Sequence, residues 1–382
     1  MQEKKNLYVN RRQFLKIFAA SGLALGSGAF LQACSSNEEK PQESADQKPK
    51  EESASAEATK TQSGAKRTVV DMKGNTVELP DKIERYADAW FAHNEVSIML
   101  VGAEGVVATH CNPKAQPWMY HVNENMNKAK STFGDDFNFE ELVDLKPDVI
   151  FDSKEAMREK ANEVGIPLVN CAFKTFEEMQ KSVELTGEVF GGKAVEIAKS
   201  YNDELSQVLK DVTAKTDTVA DDKRPKVLHG NSVYTLTIDG TGTIIDAWIK
   251  AAGGKNAVDE STTGTANAQF TFEQVIAWNP DVIITGKPEE VEQIKNDPAW
   301  QVIEAVKNGK VYVNPKGVFG WDRYGVEEIL QVQWAAALLH PELFPDLDIK
   351  TKVKDFYKKY LNYELTDEEV ELILNAQPPQ AK

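Results

Sequence analysis

The chain has 382 residues, 41% of them hydrophobic, and a formal charge of −16. That length supports two domains with well-sized cores. Phosphate binding needs clustered Lys and Arg, so the acidity argues against a nucleic-acid partner.

In chain order, the first feature is a contrast in charge. Residues 1–33 hold five basic side chains (Lys4, Lys5, Arg11, Arg12, Lys16) against Glu3, a balance of +4 that leaves −20 for the remainder. The apolar run from Ile17 to Leu31, interrupted by Gly22, Gly26 and Gly28, is too short and too rich in small residues for a permanent span. A basic start followed by such a run has the layout of a secretory signal. Asn10-Arg11-Arg12-Gln13-Phe14-Leu15-Lys16 resembles the twin-arginine export motif, and Leu31-Gln32-Ala33-Cys34 resembles a bacterial lipobox. The resemblance implies lipidation at Cys34 and export of a chain that folds before crossing. Residues 34–66 are mostly Ser, Glu, Lys, Ala, Gln and Pro. They cannot bury enough surface to offset their ordering entropy and are expected to form a disordered acidic tether. An anchor of this kind suits a binding protein and a surface enzyme equally.

The body contains a repeat. Phe139-Glu140-Glu141-Leu142-Val143-Asp144-Leu145-Lys146-Pro147-Asp148-Val149-Ile150 recurs as Phe272-Glu273-Gln274-Val275-Ile276-Ala277-Trp278-Asn279-Pro280-Asp281-Val282-Ile283. Each copy predicts a short helix, a Pro-Asp turn and a continuously apolar strand of the kind that parallel sheets cover on both faces. Further strands are predicted at Tyr86–Trp90, Val106–His110, Val149–Asp152, Leu168–Cys171, Val227–Leu228, Val282–Thr285 and Val311–Val313. A helix is predicted from Ala194 to about Ala214, with apolar residues at helical spacing. The expected class is α/β: two Rossmann-like lobes with mainly parallel sheets (67–190 and 223–376), joined by a long helix within 191–222, followed by a tail at 377–382. Ligands of open α/β sheets sit beyond the carboxyl ends of the strands, so two facing lobes imply a cleft.

Several further segments carry a family resemblance: Val70-Asp71-Met72-Lys73-Gly74-Asn75-Thr76-Val77-Glu78-Leu79-Pro80, both copies of the repeat, Ala252-Gly253-Gly254-Lys255-Asn256, Val306-Lys307-Asn308-Gly309-Lys310-Val311-Tyr312 and Trp334-Ala335-Ala336-Ala337-Leu338-Leu339-His340-Pro341. In order and spacing, over residues 67–375, they resemble the siderophore-, haem- and cobalamin-binding branch of ABC-importer solute-binding proteins. The resemblance implies a monomeric, non-enzymatic protein with no intrinsic cofactor, held at the outer face of the cytoplasmic membrane. It would deliver a metal chelate to a permease and its ATPase. An iron-siderophore or related iron complex comes first, with a corrinoid, haem, a nickel chelate or molybdate as alternatives. It also implies that Glu140 and Glu273 dock on the permease; the other reading of each is a helix-capping acid.

The strand-end rule then nominates ligand-binding residues. In the first lobe these are Trp90, His93, His110, Trp118, Tyr120 and His121; in the second they are Tyr234, Trp321, Arg323 and Tyr324. Aromatic faces suit a flat chelate, and Arg323 offers forked donors to an anion or, alternatively, an ion pair with Asp322. His93 and His121 are candidates to reach the metal of a bound chelate. His340 reads as structural and His229 is left open. Cys111 and Cys171 end strands that are not expected to be neighbours, which favours free thiols over a disulfide. The different-class alternatives are a membrane-anchored surface enzyme and an adhesion or signalling pair of lobes. The sequence shows no nucleotide fingerprint, phosphate cradle or nucleophile elbow to support the enzyme.

Overall fold

The computed structural model describes residues 67–134, 137–259 and 264–380. The export motif, Cys34 and the tether lie outside the described residues. In chain order the first part comprises β1 (Arg67–Val70), β2 (Thr76–Leu79), β3 (Tyr86–Asp88), α1 (His93–Val101), β4 (Val106–Thr109), α2 (Pro117–Val122), β5 (Lys130–Ser131), α3 (Phe139–Asp144), β6 (Val149–Asp152), α4 (Arg158–Glu163), β7 (Leu168–Asn170), α5 (Phe176–Phe190) and α6 (Lys193–Thr216). The second part follows with β8 (Lys226–Gly230), β9 (Thr237–Ile238), α7 (Ile244–Ala251), β10 (Lys255–Asn256), β11 (Ala268–Gln269), α8 (Phe272–Trp278), β12 (Val282–Thr285), α9 (Pro288–Asn296), α10 (Glu304–Lys307), β13 (Val311–Val313), α11 (Glu328–Leu339), α12 (Ile349–Tyr360) and α13 (Asp367–Leu374).

The two parts are α/β lobes built on separate parallel sheets. The first sheet has the order β5-β4-β3-β6-β7 and the second β10-β8-β12-β13. The repeat places β6 and β12 at equivalent inner positions, and every residue of both strands is buried. That is the physical reason their sequences run apolar without alternation. Antiparallel pairs β1–β2 and β9–β11 supplement the sheets. The strand order reverses beside β3 and β6 in the first sheet and beside β8 and β12 in the second. The loops after these strands therefore flank the crevices where ligands of such sheets bind.

Helix α6 has 24 residues and is about 36 Å long at its usual rise. It packs on α5 and α1 of the first lobe and on α7 and α11 of the second. The largest apolar cluster is continuous through both lobes, from Val96, Met119 and Val183 through Tyr201 and Leu205 to Trp248, Trp321 and Tyr357. Smaller clusters serve the outer layer of each lobe. A shared core resists wide separation of the lobes. No helix among the described residues is long and apolar enough to cross a membrane.

Candidate functional site

The lobes meet on an aromatic contact. Trp90, just beyond β3, lies with its ring centroid 5.7 Å from that of Tyr324, in the loop between β13 and α11, and 5.3 Å from that of Phe173, beyond β7. Phe173 and Tyr324 are also 5.7 Å apart. Tyr324 has a φ of +60°, a left-handed conformation unusual for an aromatic residue and one that surrounding contacts must impose. The loop supplies them. Trp321 Nε1 donates to Glu327 Oε1 at 2.9 Å, Phe319 N donates to Glu327 Oε2 at 3.0 Å, and Val318 N donates to the Tyr357 hydroxyl at 3.1 Å.

His110 directly follows β4, with its ring near Phe91 and Phe133 of the first lobe. Its Nδ1 donates to the Ala89 carbonyl at 2.9 Å, leaving Nε2 with the lone pair. The ring is half-buried and stacks at 3.7 Å on Phe91, which is exposed. Burial, reinforced by the charge of Lys154, lowers the pKa of His110 and keeps the imidazole neutral. Lys154 follows β6 and is exposed; a lone lysine after a strand carried no signal in the sequence beyond ordinary surface polarity.

Arg323 lies in a cage of acids. Its Nη2 contacts Asp322 and lies 3.1 Å from Asp239 Oδ2, and Nη1 donates to Asn267 Oδ1 at 3.2 Å. His229 completes the cage, donating from Nδ1 to Asp239 at 2.9 Å while Nε2 lies 3.4 Å from Asp322 Oδ2. Burial alone would raise the pKa of Asp239, but the His229 hydrogen bond and the Arg323 charge bring it down to about 2. The ligand atoms of His229, Asp239 and Asp322 converge as those of a metal site would. Here the guanidinium supplies the positive charge, so the group is a buried ion-pair network. Of the two sequence readings of Arg323, the ion pair with Asp322 is present.

Several nominated residues lie elsewhere. His93 is fully buried, with Nδ1 on Asp88 at 2.8 Å and Nε2 on Thr186 Oγ1 at 2.9 Å. The Thr186 proton goes to the Ser182 carbonyl, so that hydroxyl accepts from His93, and both ring nitrogens are donors. Burial opposes the charge, but Cys171 and Asp88 push the His93 pKa up to about 10. An imidazolium has no lone pair for a metal, which corrects the expectation of a metal contact. His121 faces the second lobe's C-terminal part, where Nε2 lies 2.9 Å from both Glu369 and the Tyr363 hydroxyl. Helix α2 carries Trp118 and His121 against the C-terminal segment and Tyr120 against its own lobe. Trp118 Nε1 donates to the Gln377 carbonyl at 2.9 Å, and the Tyr120 hydroxyl donates to the Cys111 carbonyl at 2.9 Å. Trp321 is wholly buried as the prop beneath its loop. Tyr234 is exposed, stacked near Trp300 and bonded to Asp297. Trp90 and Tyr324 thus remain at the lobe boundary, with Arg323 adjoining in sequence, and His110 is joined to this contact through Ala89, the residue before Trp90. Cys111 and Cys171 are separate buried thiols, on strands held apart by β3 and β6.

Glu140 and Glu273 are exposed in the first turns of α3 and α8. Capping does not require either carboxylate: Asn138 caps α3, and Thr271 with Gln274 forms the capping box of α8.

Comparison with known proteins agrees with this architecture. The chain is 29% identical to the molybdate-binding protein MolA of Haemophilus influenzae, over 78% of this chain and 91% of the relative. It is 26% identical to the ABC transporter substrate-binding lipoprotein YvrC of Bacillus subtilis, over 73% and 87%. Among solved structures, a periplasmic solute-binding protein from Veillonella parvula superposes with a TM-score of 0.69 at 29% identity, over 81% of this chain and 97% of that one. Residues 95–317 match the periplasmic binding protein family. The chain belongs to that family and is the extracytoplasmic substrate-binding component of an ABC transporter, a transport protein and not an enzyme.

Proposed function

We propose that the protein captures a small metal chelate, with an iron-siderophore or related iron complex first, and presents it to the permease while held to the membrane by lipid on Cys34. The observation that carries this reading is His110, a neutral imidazole with Nε2 left with a lone pair and its Nδ1 committed to Ala89, the residue before Trp90 of the Trp90–Phe173–Tyr324 contact. Such a nitrogen can complete the coordination sphere of a metal whose chelator leaves a position open. The aromatic faces can cover the chelator's apolar surface. Trp90, His110 and Tyr324 are the ligand-facing residues in this reading, and Glu140 and Glu273 the docking residues. The first segment, with its paired arginines and lipobox, would export and anchor the folded chain.

A second reading, a metal oxyanion, is favoured by the similarity to the Haemophilus molybdate-binding protein and by the Lys154 charge beside His110. Against it, Asp239 and Asp322 offset the Arg323 charge, so the second lobe contributes no surplus positive charge there. Two measurements separate the readings. Native mass spectrometry with metal analysis identifies what the protein retains when purified without denaturation. Titration of Trp fluorescence then compares ferric chelates, nickel–histidine, haem and molybdate. A chelate that binds wild type and loses at least about tenfold in affinity in His110→Ala supports the chelate reading. Binding of molybdate alone would replace it with the second.

A further inference from the structure

Three glutamates at the lobe junction have no solvent exposure: Glu95 on α1, Glu327 at the N-terminal cap of α11, and Glu328 beside it. They are not part of the aromatic contact, and nothing in the transport reading uses them. Glu327 accepts from the Tyr357 hydroxyl at 2.6 Å, Trp321 Nε1 at 2.9 Å and Phe319 N at 3.0 Å. Three donors on one carboxyl group are the environment of an ionised carboxylate. Glu95 accepts from Val326 N, the residue before Glu327, through Oε2 at 2.9 Å, and its Oε1 is buried without a hydrogen-bond partner. A buried carboxyl group with so few donors beside a second buried carboxylate holds its proton, and the donor count places that proton on Glu95. Gly325 permits the approach, because a Cβ there would stand 2.1 Å from Glu95 Oε2.

We infer that Glu95 and Glu327 share one proton across the lobe junction, and that this proton keeps the junction rigid, so alkaline conditions loosen one lobe from the other.

Among the described residues, the surroundings supply no alternative compensation. The groups facing the pair are Tyr201 on α6, whose hydroxyl donates to the Val326 carbonyl at 2.9 Å, Tyr357 on α12 and Cys111 in the first lobe, with Glu328 next in the chain on α11. Arg323 is the cation in reach, and its charge acts on Glu328. Among the described residues, the group of three side chains placed to hold a metal ion is His229, Asp239 and Asp322 of the Arg323 cage, and not this cluster. Protons must therefore relieve the repulsion. Burial raises the pKa of all three glutamates, with the Glu327 charge adding to the effect on Glu95. An unfolded chain releases the Glu95 and Glu328 protons near the ordinary glutamate value, whereas the folded chain keeps them. Stability is then complete below that value and falls as pH rises through the folded values. Each retained proton costs up to about tenfold in the folded-to-unfolded ratio per pH unit across that window.

The test uses the full chain and Glu95→Gln, whose amide can still accept from Val326 and donate to Glu327. Thermal melts at pH 5, 7 and 9 are combined with hydrogen exchange of residues 317–327, normalised for intrinsic rates. The expected result is similar melting at pH 5. At pH 9 the variant melts higher, and exchange in that segment accelerates in wild type alone. His93 loses its stabilising charge with the same sign in both proteins, so the difference between the curves isolates Glu95. Parallel curves for wild type and variant would overturn the proposal. Difference infrared spectra of wild type give an independent readout: a buried protonated-carboxyl band that titrates together with the exchange supports it, and absence of the band at pH 7 overturns it.

Discussion

Replacing Arg323 with Ala would leave Asp239 and Asp322 buried beside each other, with His229 as the remaining side-chain partner and the Asn267 N–H still on Asp239. The size of the loss follows from two routes. The Asp239 pKa stands at about 2 against an ordinary 3.8, a shift worth about 2 kcal/mol at neutral pH. Removal of one member of a buried ion pair costs about 3–5 kcal/mol where burial is complete. The Arg323 side chain retains 14% of its exposure, so the lower end applies, and the expected loss at pH 7 is about 3 kcal/mol. A depressed carboxylate pKa contributes stability above the ordinary value and loses it as pH falls through the folded value. The difference between wild type and variant should therefore shrink below about pH 4 and nearly vanish near pH 2. Urea denaturation at pH 7 and pH 3, followed by tryptophan fluorescence, measures both points. A variant within about 0.5 kcal/mol of wild type at pH 7, or a loss equally large at pH 3, would refute the ion-pair cage.

Three further outcomes are expected. Glu140→Ala with Glu273→Ala should abolish uptake in cells while leaving ligand affinity unchanged, since both side chains are exposed and neither carboxylate caps its helix; a loss of affinity would refute the docking role. Gly325→Ala should lower stability by about 1–3 kcal/mol, because its Cβ would overlap the buried Glu95 carboxyl; an unchanged melting temperature would contradict the packing at the junction. Cys34→Ala should move the protein from the membrane fraction to the soluble fraction on cell fractionation; retention at the membrane would remove lipid anchoring.

Much of the architecture is visible in the chain's apolar pattern. The strands at Val149–Asp152 and Val282–Thr285 have the predicted bounds, because runs buried on both faces admit few polar residues, and the edge strand at Val311–Val313 matches as well. The linking helix, expected from about Ala194 to Ala214, spans Lys193–Thr216. Two-residue strands such as β9 and β11 are too short to set up a period. The candidate site was harder to read because the strand-end rule gives proximity and not direction. His93 follows β3 closely, yet its ring turns into the core between Asp88 and Thr186. Helix α2 follows β4, yet its aromatic face is turned to the C-terminal segment. The glutamate pair left no signal, since a buried Glu is sequence-identical to a solvated one.

The account rests on the ligand being held where the lobes meet. A crystal structure of the protein loaded with its metal complex, with the metal located by anomalous scattering, tests that placement most directly. The account predicts a single metal between Trp90, His110 and Tyr324, within coordination distance of His110 Nε2 or one chelator layer away. A metal bound on an outer face of either lobe, or displacing Arg323 from its cage while the aromatic contact stays closed, would contradict it.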